Sequence, residues 1–146
     1  MTKPVLKYEI IEEPGLIVRY LKGQIDLNSL FSMMLESAEE KRYRNDFQVL
    51  YDIREAEFVV RKNSIEDFLA KVRGNSDILV RKRVAFLTMN PNQVVFSSLL
   101  NRFAVTGIFS LETCSTLPAA LSFLNVDSSF YQEVESVLIA LKEADH

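Results

Sequence analysis

The chain has 146 residues, 48% of them apolar and 25% charged, with four glycines and four prolines, a profile that excludes a fibrous or disordered polymer and suits a packed globule. Seventeen basic against twenty acidic side chains leave a net charge of −3, so no long-range positive field is available to collect nucleic acid or anionic lipid. Cys114 is the single cysteine and His146 the single histidine and last residue, which removes an intramolecular disulfide, a cysteine-based metal site and histidine general-base chemistry.

Residues 7–13 and 16–25 are rich in β-branched and aromatic side chains, and Pro14-Gly15 between them has the chemistry of a type II turn. They predict an antiparallel hairpin. Asp26 then caps a helix whose buried stripe is read as Leu27, Leu30, Phe31, Met34, Leu35 and Ala38, at i, i+3, i+4, i+7 spacing. A short apolar strand covers 47–53, and residues 54–61 carry no clear period. Ser64 caps the next helix, with Ile65, Phe68, Leu69 and Val72 as its stripe and Gly74-Asn75 as its end.

Residues 83–89 are a continuous apolar run, as a strand covered on both faces requires, and Asn90-Pro91-Asn92 breaks it before a helix over 92–105 that Gly107 closes. Residues 108–114 read as the last strand, Ser115 or Thr116 caps a short helix over 117–124, and Asp127-Ser128-Ser129 opens a terminal helix, 129–143, with Phe130, Val134, Val137, Leu138 and Leu141. The order ββαβαβαβαα implies a mostly parallel sheet of about five strands with one antiparallel strand and right-handed crossovers. Residues 1–146 are read as a single domain, core 8–125 plus the additional C-terminal helix. No stretch reaches the length of a membrane span, and Met1–Tyr8 lacks the apolar core of a signal peptide, so the expected location is the cytoplasm.

Four segments carry a family resemblance: GLIVRYLKGQIDLNSLFSMM (15–34), VLYDIR (49–54), RVAFLTMNP (83–91) and FSLETCSTLPAALSFL (109–124). With Gly23-Gln24-Ile25-Asp26 leading into the first helix, and Ala120-Leu121-Ser122-Phe123-Leu124 after the last strand, the chain resembles the STAS-like domains. The branch is the one similar to the sporulation anti-sigma-factor antagonist (SpoIIAA-like). The resemblance implies the fold and a regulatory role through a protein partner. In that family a Ser or Thr in an Asp-Ser-Ser/Thr-Gly turn at a helix start is phosphorylated. That turn is absent here, and Ser64, in Arg61-Lys62-Asn63-Ser64-Ile65-Glu66-Asp67, is the candidate phosphosite at the corresponding place; it lacks the small neighbours that let a kinase approach, and capping alone explains a Ser there.

Other constellations are weaker. Glu12-Glu13, Asp52 and Thr88 fall at predicted strand ends like a phosphoacceptor site, but the acidic pair leads into a second strand, not a helix, and the matching lysine is replaced by Glu112-Thr113-Cys114. Asp52 is then read as a turn or cap residue, and Cys114 as an inert core thiol. The basic middle of the chain, Arg54, Arg61, Lys62, Lys71, Arg73 and Arg81-Lys82-Arg83, reads as a solvated surface. The Asn90-Pro91-Asn92-Gln93 loop joins a parallel strand to a helix N-terminus, where ligands of open α/β sheets gather. Asn90, Asn92, Gln93 and Arg102 are therefore the candidate ligand-binding residues, although turn and cap roles account for the asparagines as well. Helix 92–105 is apolar around more than one face, and a second subunit in a homodimer, the terminal helix or a small apolar ligand could cover the surplus. The set implies no cofactor and no metal. The resulting expectation is a non-catalytic regulatory or protein-interaction module, with a binder of a small apolar or amphipathic ligand near helix 92–105 as the alternative.

Overall fold

The computed structural model describes residues 3–61, 64–75, 82–103 and 109–143, with the side chains of 82, 97, 99–103 and 109 left aside. Five strands form one sheet: β1 (Val5–Ile11), β2 (Leu16–Asp26), β3 (Gln48–Val59), β4 (Lys82–Leu87) and β5 (Phe109–Cys114), in that order across it. β1 and β2 pair antiparallel from Val5↔Lys22 to Ile11↔Leu16, and every later pair is parallel. The hairpin turn is a four-residue loop closed by the Gly15 N–H donating to the Ile11 carbonyl at 3.2 Å. Gly15 holds φ at +85° there, with the Phe47 ring 3.2 Å from where a Cβ would stand, which explains a glycine at this point.

Because the strand order advances one step at a time, crossovers of a single hand put the connecting helices on one face. These are α1 (Leu27–Ala38), α2 (Ser64–Gly74) and α3 (Pro91–Phe103). They close a core of Leu21, Ile25, Leu30, Met33, Tyr51, Ile53, Phe68, Leu69, Phe86 and Phe96. The chain then returns over the opposite face as α4 (Leu117–Phe123), a 3₁₀ turn Ser128–Phe130, and α5 (Tyr131–Glu143), covering Leu16, Val18, Leu50, Ala85 and Leu87. Helices therefore flank β3 and β4 on both sides, as two uninterrupted apolar runs require.

Caps act as the residues suggest. Asp26 accepts the Ser29 N–H at 2.7 Å, Thr116 rather than Ser115 accepts from Ala119 at 3.2 Å, and Asp127 accepts from Ser129 at 2.9 Å. Ser64 differs: it opens α2, but its hydroxyl bonds backward to the N–H and carbonyl of Arg61, both at 2.6 Å, instead of capping forward. Gly107, expected to close the helix after β4, lies outside the described residues.

Two expectations are corrected. The buried stripe of α1 is Leu27, Leu30, Met33 and Ser37, with Phe31, Met34 and Leu35 packed at its margin; the helix is rotated because Ser37 turns inward to meet a buried arginine. The terminal helix does not cover the helix after β4, since Val134 (0% exposed) and Leu138 (3%) are buried against the opposite face of the sheet and Leu141 packs beside them. A homodimer built on that face would compete with this packing.

Candidate functional site

β3 is longer than its sequence suggests. Between the pairs Tyr20↔Asp52 and Lys22↔Glu55, β2 spends one residue and β3 two, so a bulge falls at Ile53-Arg54. The bulge shifts the alternation: Val49, Tyr51 and Ile53 face the α1–α3 side, and after it Ala56 and Phe58 do. β4 stops at Leu87, opposite Asp52, while β3 runs on to Val59 with only β2 as a strand neighbour among the described residues.

The N-terminal turn of α3 fills part of the missing strand's place. Gln93, 3% exposed, donates from Nε2 to the carbonyls of Arg54 and Ala56 at 3.1 Å each, and its Oε1 accepts the Met89 N–H at 2.7 Å. Asn90 caps the helix by accepting the Gln93 N–H at 3.1 Å. Beyond Gln93 an open groove of about 870 Å³ wraps around the projecting end of β3, lined by Lys22, Gln24, Arg54, Glu55, Glu57, Phe58, Val60, Asn90, Asn92, Val95 and Phe96 among others. Phe58 and Phe96 stack at 3.9 Å and 6° to form its apolar wall. Val60, Val95 and Met89, 37%, 57% and 72% exposed, stand on or next to its rim.

On the α5 side of the same strand lies a charged cluster. The Asp52 carboxylate is buried; Arg54 donates to it from Nε at 2.9 Å, from Nη2 at 2.8 Å and from its backbone N–H at 3.2 Å, and the Lys142 ammonium is 3.5 Å away. Burial alone pushes this carboxyl up, but the hydrogen bonds and charge of Arg54, with Lys142 beside them, hold it below its ordinary value. Asp52 is thus an ion-pair anchor, not the turn or cap residue its position suggests. Tyr20 donates its hydroxyl to Glu55, and a cleft of about 470 Å³ opens between Arg54, Leu117, Tyr131, Ile139 and Lys142.

Three of the four candidate binding residues, Asn90, Asn92 and Gln93, meet at the groove, Gln93 as a buried bracket of its wall. Arg102 lies ten residues farther along α3 than Asn92, about 15 Å at the helical rise, and its side chain is outside those described. Ser64 is not among the groove's lining residues. Residue-by-residue reading missed Lys22, Glu57, Phe58 and Val60; the signal was present in the alternation of Ala56, Phe58 and Val60, out of phase with Val49, Tyr51 and Ile53.

Glu12 and Glu13 are in the hairpin turn beside Gln48, roughly 13 Å along β3 from Asp52 at strand spacing, so the phosphoacceptor arrangement does not assemble. Among the described residues no three His, Cys, Asp or Glu side chains group closely enough to hold a metal ion, and no helix is long and apolar enough to cross a membrane. Cys114 is buried, and burial together with the charge of Glu112 raises its thiol, which is the state of an unreactive sulfur.

Comparison with solved structures decides the fold. An uncharacterised DUF3478-family protein with a SpoIIAA-like fold, from Shewanella loihica PV-4, superposes with a TM-score of 0.56 at 18% identity, over 85% of this chain and 98% of that one. The fold is STAS-like, of the SpoIIAA kind. The unphosphorylated anti-sigma-factor antagonist SpoIIAA itself aligns over 83% of this chain and 98% of its own, with a TM-score of 0.48 at 10% identity. No family model matches the chain, and no curated protein does. In the SpoIIAA-like frame, the groove is at the carboxyl ends of the parallel strands, the end at which open α/β sheets receive ligands.

Proposed function

We propose that this SpoIIAA-like chain is a non-catalytic regulatory or interaction module, and that a partner protein docks in the groove between the projecting end of β3 and the start of α3. The observation that carries this reading is how the polar groups there are used. Arg54 is committed to Asp52, and Gln93 to three backbone groups. What faces outward is an apolar rim of Val60, Val95 and Met89 beside the charges of Lys22, Glu55 and Glu57, and an exposed apolar patch bordered by polar groups marks recognition. A groove open along its length accommodates a segment of another chain. The second reading, a small apolar or amphipathic ligand near the helix expected over 92–105, is favoured by the stacked Phe58–Phe96 wall.

The test is a photoreactive phenylalanine analogue introduced at Val95 and, as a control, at the exposed Asp46, in cells of the source organism. A discrete protein adduct at position 95 that is absent at 46 is the expected result. A small-molecule mass increment at 95 would favour the second reading, and identical patterns at the two positions, or no adduct at 95, would remove the groove as a docking site.

A further inference from the structure

We infer that the partner enters the groove as an extended strand pairing with the free edge of β3 at residues 57–60, an inference that rests on the docking role of the groove and specifies its mode. The edge is defined by what is already bonded. Arg54 and Ala56 turn their carbonyls toward α3, where Gln93 takes both. By the two-residue period of a strand, Phe58, and Val60 just past its end, turn their backbone groups the same way, beyond the reach of Gln93. On the other side β2 is paired up to Asp26↔Val59, and β4 ends opposite Asp52. Among the described residues the edge is also unguarded: Val59 and Val60 are 45% and 37% exposed, and neither a lysine nor a proline blunts residues 57–60.

The two sides of an added strand would meet different chemistry. Its side chains on the Phe58 side face Phe58, Phe96 and Val95, an apolar wall. On the other side are Glu55 and Glu57 against Lys22, with Arg54 already neutralised by Asp52, so carboxylates outnumber free cations. The occupant that fits is a segment of alternating apolar and basic residues, held by main-chain hydrogen bonds for affinity and by these two walls for specificity.

The probe is an acetylated, amidated heptapeptide of alternating valine and lysine, titrated into the isotope-labelled full chain by NMR, with two twins N-methylated on the valine or on the lysine amides. Strand pairing uses one alternate set of amides, so one twin should bind about tenfold more weakly, the equivalent of two or three hydrogen bonds, and the other like the parent. Shifts should centre on 57–60, and Glu57→Lys and Val60→Pro, both at exposed positions, should each weaken the parent peptide several-fold while the spectrum elsewhere is retained. Equal binding by both twins would overturn strand pairing and leave the groove as a side-chain docking site. Binding elsewhere, or none at millimolar peptide, would overturn the inference, while the photocrosslink at Val95 judges the groove separately.

Discussion

Among the described residues the sheet buries one charged centre on each face, and the two are satisfied in opposite ways. Under α1, Arg19 is 3% exposed and has no carboxylate within ion-pair distance among the described residues. Its Nη1 donates to the Tyr51 hydroxyl at 2.6 Å, its Nη2 to the Ser37 hydroxyl at 2.7 Å, and its Nε has no partner. Ser37 in turn donates to the Met34 carbonyl at 3.0 Å, so the guanidinium faces the negative end of the α1 dipole, with the Tyr51 ring 5.2 Å away. On the other face Asp52 is closed into full ion pairing by Arg54 and Lys142. Arg19 leans on dipoles and hydroxyls that tolerate its loss. Asp52 depends on two cations, and its carboxylate ties Arg54 at the bulge to Lys142 in the last turn of α5.

The sharpest way to break this asymmetry is to remove Arg54. Arg54→Met strands a buried carboxylate with Lys142 alone, and should lower the unfolding free energy by about 3–5 kcal/mol, read as a shifted denaturant midpoint at constant slope. Replacing both partners, Asp52→Leu with Arg54→Leu, should recover more than half of that loss, because no unpaired buried charge is left. A double variant as unstable as the single one would show that the pair's geometry, rather than its charge balance, holds β3.

Next in size is Gln93→Leu, which keeps the packing volume but abandons the carbonyls of Arg54 and Ala56 and the N–H of Met89. A loss of about 2–3 kcal/mol is expected, moderated by water reaching the open side of β3. The result also measures how much of the site was legible in advance. The strands, their parallel order and the caps at Asp26 and at Ser115 or Thr116 could be read, because local patterns encode them. The stripe of α1 was misplaced by a turn's edge, because apolar periodicity cannot see that Ser37 is drawn inward by an arginine eighteen positions earlier. Residues 54–61 read as ambiguous because a bulge resets their phase. The loop at Asn90 was legible as a turn that caps the following helix. The role of Gln93 was not, since it exists only because β3 outruns β4, a fact of register with no local trace. Lys142 meets Asp52 across ninety residues, and no pattern in the chain announces it.

Arg19→Met should cost much less, about 1 kcal/mol or under, with either sign possible. The variant gives up two hydrogen bonds but no longer buries a cation whose Nε is unsatisfied, and Ser37 keeps the Met34 carbonyl. A loss matching that of Arg54→Met would mean that the α1 dipole and the hydroxyls hold Arg19 as firmly as an ion pair holds Asp52, and the contrast between the faces would fail.

The smallest effect is the one the pH axis isolates, and it carries a sign. The Asp52 carboxyl is held below its ordinary value in the folded chain, so the folded state binds its proton less readily than the unfolded state does. Its stabilising contribution is therefore complete above the ordinary carboxylate pKa, about 4, and drains away as the pH falls through that value toward the lower folded one. In Arg54→Met the balance reverses. Burial then outweighs the single remaining cation, the carboxyl moves up, and the folded variant holds the proton more tightly than the unfolded chain. Its stability should fall as pH rises through the acidic range, where the parent's rises. Denaturant midpoints of parent and variant measured between pH 3 and pH 7 should converge toward the acidic end. Parallel curves would show that Lys142 alone keeps Asp52 ionised, and would move the anchor of this face from the bulge of β3 to the last turn of α5.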